Sequence, residues 1–282
     1  MKPIKLNLAY AGFCYANQHH ALRGSKRKKI KFHALWGLIK HPEKGLILFD
    51  TGYSGRFYKE TRFFPDKLYA LATKVIVNPE DEVINQLKKQ GIAASDIKHI
   101  IITHFHADHI GGLMDFPDAT VYTLSQGINQ ALSISSFTAF SKGILPGLLP
   151  EKLIKRILLI DKTCDAIEDP VFKCKYDLFA DRSIMIYPLP GHAAGQAGVM
   201  LNTSKHQYFL IADACWLQQS YQSYVLPHII TRLIFQSWSA YKESLMNIHE
   251  FHQLFPDTII VPSHCEKSTA PLVSNTINFD VL

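Results

Sequence analysis

Thr103-His104-Phe105-His106-Ala107-Asp108-His109-Ile110-Gly111-Gly112 places three imidazoles and a carboxylate within six residues. It follows His99-Ile100-Ile101-Ile102, a β-branched run that reads as a buried strand. Imidazole and carboxylate together suit Zn²⁺ and related first-row metals, and a tight loop after a strand aims alternate side chains at one point. His104 and His106 then face one metal, while Asp108 and His109 face a second. Gly111 and Gly112 are expected to allow the close turn into a following helix. A polar loop of solvated histidines is the plain alternative, but the position at a strand end favours metal binding.

Outward from this stretch, short apolar runs recur between turn residues. Phe32–Ile39 and Leu46–Phe49 flank His41-Pro42-Glu43-Lys44-Gly45 and read as a hairpin ending in Asp50-Thr51-Gly52. Asn78-Pro79 opens a predicted helix, with Glu80, Asp81 and Glu82 at its positive end, Val83, Ile84 and Leu87 on one face, and Gly91 as the stop. Ala119–Leu124, Ser183–Leu189, Ala197–Leu201, Gln207–Ala212 and Thr258–Val261 read as further strands. Ile128–Ile160 and Trp216–Phe255 are aromatic-rich and read as mostly helical. Two groups of strands interleaved with helices predict a layered α/β sandwich with helical insertions.

The chain has 282 residues, 47% of them hydrophobic and 19% charged, which excludes disorder, collagen and coiled coil. That length suits one large domain or two modest ones. No apolar run approaches the roughly 18–20 residues of a spanning helix. Met1–Ala16 does not read as a signal peptide, because Lys5 and Asn7 interrupt it while Ile4, Leu6, Leu8 and Tyr10 alternate. Cys14, Cys164, Cys174, Cys215 and Cys265 are scattered with no Cys-x-x-Cys, as expected of free thiols in a cytoplasmic protein. The net charge of +6 (30 basic against 24 acidic residues) equals the six cations Arg23, Lys26, Arg27, Lys28, Lys29 and Lys31. This run reads as a solvated loop between two strands. Without interleaved aromatics it does not predict a nucleic-acid partner.

The His104–Gly112 stretch resembles the signature loop of the metallo-β-lactamase superfamily, and other motifs of that family follow in order. They are Pro190-Gly191-His192, Leu210-Ile211-Ala212-Asp213 and Ile260-Val261-Pro262-Ser263-His264, each at a predicted strand end, with Asp50-Thr51-Gly52 as the early strand-end motif. The resemblance covers most of the chain. It implies the α/β class and an αββα sandwich with metals at one edge. It also implies one hydrolase domain over 1–282 with insertions around 128–160 and 216–255. Two divalent metal ions are implied, zinc first, with manganese or iron as alternatives. His104, His106 and His192 would hold metal one, and Asp108, His109 and His264 metal two, with Asp213 on both. Asp108 and Asp213 are the candidate catalytic groups, Asp108 orienting the nucleophile.

The implied chemistry is attack by a metal-bridging hydroxide on a lactone or small carboxylic ester. Order and length resemble the N-acyl-homoserine lactone lactonase branch, which implies quorum quenching. A thioester substrate, as in glyoxalase II-like thioesterases, is the alternative; phosphodiester or nuclease activity and a low-turnover sensing role rank below it. The lactonases carry a substrate-contacting tyrosine three residues after the bridging aspartate, where this chain has Trp216. An indole N–H donates a hydrogen bond but does not transfer a proton as a phenol does. Trp216, Tyr221 and Tyr224, together with Trp238 and Tyr241, read either as walls of an apolar acyl pocket or as packing of the insertion helices. The two helical stretches would form a cap or a homodimer surface.

Overall fold

The computed structural model describes residues 3–274 and 276–279. Strands β1 (Lys5–Asn17), β2 (Lys29–His41), β3 (Gly45–Phe49), β4 (Val75–Ile76), β5 (Ile97–Ile101), β6 (Thr120–Thr123) and β7 (Ile157–Leu159) form one sheet, in the order β4-β1-β2-β3-β5-β6-β7. Strands β8 (Ala166–Asp169), β9 (Lys173–Asp177), β10 (Ile184–Pro188), β11 (Ala197–Asn202), β12 (Gln207–Ala212) and β13 (Ile259–Pro262) form a second, in the order β13-β12-β11-β10-β9-β8.

Alternation along the strands decides how the layers stack. Leu6, Leu8, Leu35, Ile39, Ile47 and Phe49 of the first sheet meet Ile184, Ile186, Val199, Leu201 and Leu210 of the second in one apolar cluster. The intervening residues Trp36, Leu38, Leu48, Ile100, Phe209 and Ile211 belong to another cluster, shared with Leu87, Ile128, Leu245 and Ile248 of the helices. Both sheets are therefore buried on two faces, one against each other and one under helices, which is the αββα sandwich.

Strand direction positions the site. In the first sheet β3, β5, β6 and β7 run parallel. In the second, β12 and β13 are parallel, and β10 runs the same way because β11 is antiparallel to both β10 and β12. The C-terminal ends of these strands gather at one edge of each sheet. Two of the ends turn sharply through left-handed residues, Asp50 after β3 (φ 51°) and Ala212 in β12 (φ 48°). Such backbone is costly for residues other than glycine and recurs at functional edges.

Several local expectations differ from the structure. The helix expected from Pro79 breaks in two: a 3-10 turn over Pro79–Asp81, then a helix over Val83–Lys89. Asp81 Oδ2 turns back to accept the Asn78 N–H at 2.9 Å, and the extended Glu82 accepts the Gly55 N–H through Oε1. The 128–160 stretch holds only short helices and 3-10 turns, and its end is strand β7. Three apolar residues are too few for periodicity to separate strand from helix. The 216–255 stretch contains one long helix, Trp238–Leu254. The β8–β9 hairpin was missed because it is mostly polar and at most half-buried apart from Asp169, so it carries no buried apolar pattern. Lys29 and Lys31 of the basic run lie inside β2. Among the described residues, no helix is long and apolar enough to cross a membrane, and all five cysteines are free.

Candidate metal centre

The end of β5 carries the loop on which the site is built. Thr103 and His104 leave the strand, His106 precedes a single helical turn over Ala107–Ile110, and Gly111-Gly112 follow it. The two glycines sit at φ −55° and −90°, ordinary values, so they do not serve a special turn. Their role is close approach. A Cβ on Gly111 would lie 2.6 Å from Gly52 O, and one on Gly112 would lie 2.7 Å from Thr51 O. The Asp50-Thr51-Gly52 segment is thereby pressed against the histidine loop, with Thr51 N–H and Oγ1–H both donating to His109 O.

The other groups arrive from the second sheet. His192 follows β10 on a loop whose Gly191 has φ +129°, where a Cβ would meet Tyr241 N at 2.1 Å. The start of the Trp238–Leu254 helix packs on that loop: Ser237 N–H donates to Gly191 O and Ser244 Oγ–H to Pro190 O. Asp213 directly follows β12 and His264 follows β13.

Three clusters have ligand atoms mutually within 4.8 Å: His104/His106/His192, Asp108/His109/His264 and His104/His109/Asp213. Asp213 lies between them. Its Oδ2 is 3.0 Å from His264 Nε2 and 3.2 Å from His192 Nε2, and its Oδ1 is 3.6 Å from His109 Nε2. Asp108 Oδ2 lies 3.3 Å from His264 Nε2 and 3.5 Å from His109 Nε2. All seven candidate ligands from the sequence are thus in one place.

Outer groups orient them. Asp50, fully buried, is 2.7 Å from His109 Nδ1 and also accepts the Thr103 N–H and Oγ1–H, each at 2.8 Å. His264 Nδ1 is 2.8 Å from His33 O, and its ring stacks on Phe32 at 4.7 Å. Trp216 Nε1 donates to Asp213 Oδ2 at 3.1 Å. An Nδ1 held this way leaves Nε2 free to face inward.

Burial pushes the imidazole of His104 well below its usual range, His106 down to about 4 and His192 down to about 3. Burial also opposes charge on His109 and His264. There, however, the carboxylates of Asp108 and Asp50 (for His109) and Asp213 (for His264) outweigh it and hold both above the ordinary value. Burial would raise Asp108, yet His109 and His264 bring it down to about 2.

The donor chemistry fits metal ions. His104 Nε2, His109 Nε2 and Asp213 Oδ1 are buried without a hydrogen-bond partner. Each such orphan costs roughly 1–3 kcal/mol. Divalent cations would satisfy all of them, and imidazole plus carboxylate without thiolate suits zinc, manganese or iron.

A cavity of about 560 Å³ opens onto the cluster. Its walls include His106, Asp108, His192, Asp213 and His264, with Trp216, Phe32, Tyr53, Tyr69, Cys14 and the Ile230–Ile234 turn. Tyr221 and Tyr224 are absent from these walls; their hydroxyls donate to Ile260 O and Lys242 O, each at 3.4 Å. Trp238 and Tyr241 stack on each other and pack against Phe235, away from the cavity lining. Sequence reasoning missed Tyr53 and Tyr69. Tyr53 had a usable signal, since it directly follows Asp50-Thr51-Gly52, whereas Tyr69 sits in an ordinary helical stripe. A cavity of similar size, about 570 Å³, lies between β8–β12 and the end of the Trp238–Leu254 helix and touches none of these ligands.

Comparison with known proteins follows the same lines. The family model described as Metallo-beta-lactamase superfamily matches residues 31–245. A probable metallo-hydrolase of Mycobacterium bovis is 24% identical over 243 residues, covering 80% of this chain and 73% of the relative. The N-acyl homoserine lactonase AiiA of Bacillus thuringiensis subsp. kurstaki is 22% identical over 222 residues, covering 78% of this chain and 80% of the relative. Among solved structures, an N-acyl homoserine lactone hydrolase with its product N-hexanoyl-L-homoserine at the catalytic metal centre aligns with a TM-score of 0.73. That alignment has 21% identity and covers 97% of this chain and 98% of the other. At that identity the structural likeness speaks for the fold.

Proposed function

This chain belongs to the metallo-beta-lactamase superfamily and is a metal-dependent hydrolase, and from that premise we propose that it works on a lactone or small carboxylic ester through two divalent ions, zinc first. N-acyl homoserine lactones, which relatives in Bacillus thuringiensis are named for, are the first substrates to test, and their hydrolysis would make the protein quorum-quenching. In this reading His104, His106 and His192 hold one ion, and Asp108, His109 and His264 the other, with Asp213 shared. The observation that carries it is Asp213, whose two oxygens face different histidines while His104 Nε2 and His109 Nε2 are buried beside it without a hydrogen-bond partner.

When bound, such ions acidify a water toward neutrality and polarise the substrate's carbonyl oxygen. The chain's own residues do the rest. Asp50 and the His33 carbonyl hold the Nδ1 atoms of His109 and His264 and so fix which nitrogen faces the centre. Asp108, on the cavity wall, orients the attacking water, and Trp216 holds Asp213 in place. Phe32, Trp216 and Ile230 give the cavity apolar walls that suit an acyl chain and limit water around the reacting carbonyl.

The test is metal content of the purified protein together with turnover of homoserine-lactone, ester, thioester and phosphodiester panels, with and without chelator. Lactone or ester turnover that chelator abolishes and zinc or manganese restores is expected, and His106→Ala and Asp213→Ala should each lose both metal and activity. Two bound metals with full activity in either variant would sink the ligand assignment. Turnover of phosphodiesters alone would sink the substrate class.

A further inference from the structure

The basic run and several of the most exposed apolar residues of this protein lie on segments that adjoin the lining of the metal cavity. Arg23, Lys26, Arg27, Lys28, Lys29 and Lys31 are all exposed, and none makes an ion pair among the described residues. The start of this run and the segment before it are tied by backbone bonds to the chain just ahead of the Ile229–Leu233 turn: Arg23 N–H to Leu226 O at 3.0 Å and His228 N–H to His20 O at 2.9 Å. The next turn, Ile229–Leu233, presents Ile230 and Leu233 at the surface, Leu233 77% exposed, and both also line the cavity together with Ile234 and His20.

A second segment of the lining has the same character. Tyr69 and Ala72 of the Lys67–Ala72 helix line the cavity, and Leu71 of that helix is 73% exposed. Before it, Phe64 is 68% exposed and contacts the exposed ring of Phe137. Arg62, Lys67 and Lys74 are exposed on this side, beside the carboxylates Glu60 and Asp66. Exposed apolar groups gathered around a cavity mouth are unusual for a surface that meets only water.

We propose that this face docks on an anionic lipid surface, so that the metal cavity opens onto the bilayer interface and takes amphiphilic acyl lactones or esters from it. Charge decides between the possible occupants. A second copy of the chain would bring an equal set of unpaired cations to the same contact, where like charges repel. Anionic headgroups complement those cations, while Leu233, Leu71 and Phe64 reach the acyl boundary, the combination that gives stable interfacial binding. The substrate clause rests on the hydrolase reading above, whereas the docking stands independently of turnover.

The test is co-sedimentation of the full-length protein, as purified, with phosphatidylcholine vesicles with or without phosphatidylserine. Binding about tenfold tighter to the serine-containing vesicles is expected, and it should be lost in high salt. The triple variant Lys26→Glu/Arg27→Glu/Lys28→Glu should weaken that binding about tenfold or more, while hydrolysis of a short water-soluble ester without vesicles stays at the wild-type level. Leu233→Ser should weaken vesicle binding with the salt dependence retained. Failure to sediment overturns the proposal, as does binding to both vesicle types that ignores the triple variant. A stable dimer dissolved by Leu233→Ser, or retention of RNA in place of lipid, overturns it in favour of a second copy or a nucleic acid. Hydrolysis of the soluble ester reads the proposed function separately, so either idea can fail while the other stands.

Discussion

Trp216 Nε1 donates to Asp213 Oδ2 at 3.1 Å, the same oxygen that lies 3.0 Å from His264 Nε2. The indole N–H is thus committed to a carboxylate at the heart of the site and does not donate to substrate, while the ring face stays on the cavity wall. Its ring is wedged against Phe32, His192 and Phe235, and Trp216 is only 7% exposed. Trp216→Phe keeps most of that packing and removes the donor. Metal content should remain while kcat/KM falls about tenfold, the usual scale for losing an outer partner of a metal ligand. Unchanged kinetics would show that the hydrogen bond is incidental.

Asp50 acts through His109 and touches no substrate. Asp50→Asn is nearly isosteric but replaces a carboxylate beside Nδ1 with an amide, weakening control of the tautomer. Affinity for the metal at Asp108/His109/His264 should fall about 10–100-fold, read by competition with a metallochromic chelator. The other metal should be retained, so loss of both together would contradict this division.

Gly191 has no room for a side chain. Gly191→Ala puts a Cβ 2.1 Å from Tyr241 N at a backbone φ of +129°, so the His192 loop and the Trp238–Leu254 helix must separate. Destabilisation of about 3 kcal/mol or more is expected, with a marked loss of metal from the His104/His106/His192 group. A melting temperature equal to wild type would refute the close approach.

Asp169 anchors the β8–β9 hairpin. Its Oδ1 accepts the Val171 and Phe172 N–H groups at 3.0 Å each, and its Oδ2 pairs with Lys175 Nζ at 3.0 Å. Burial would raise this carboxyl, but those bonds outweigh it and hold it below the ordinary range. A depressed folded pKa stabilises above the unfolded value, about 4, and the benefit disappears as pH falls through the folded value. Asp169→Ala should therefore cost about 1–2 kcal/mol at neutral pH, with the gap closing below about pH 4. Denaturant melts of both proteins across that range check the sign.

Much of this was legible in the chain. Strand alternation in Leu6/Leu8, Ile184/Ile186 and Tyr208/Leu210 is a local property, because successive side chains of a strand point to opposite faces. The histidine loop was visible as metal-binding residue types at a predicted strand end, whereas His192, Asp213 and His264 were singled out by the ordered motifs of the family resemblance. Where local pattern is weak the reading failed, as at the polar β8–β9 hairpin and the three-residue β7.

The sequence by itself determined the two-faced strands, the residue types of the candidate ligands and the concentration of charge between Arg23 and Lys31. Only the tertiary structure decided what those groups touch. Asp50 meets His109 across 59 positions, and His264 Nδ1 reaches the His33 carbonyl across 231. Gly111 and Gly112 proved to be glycines for close approach to Gly52 and Thr51 and not for a turn. Tyr221 and Tyr224 turned their hydroxyls to backbone carbonyls, while Tyr53 and Tyr69 took places on the cavity wall. The physical reason is one of range. Periodicity and backbone preference act between near neighbours, whereas pairing and burial depend on how distant elements pack once both sheets close on each other.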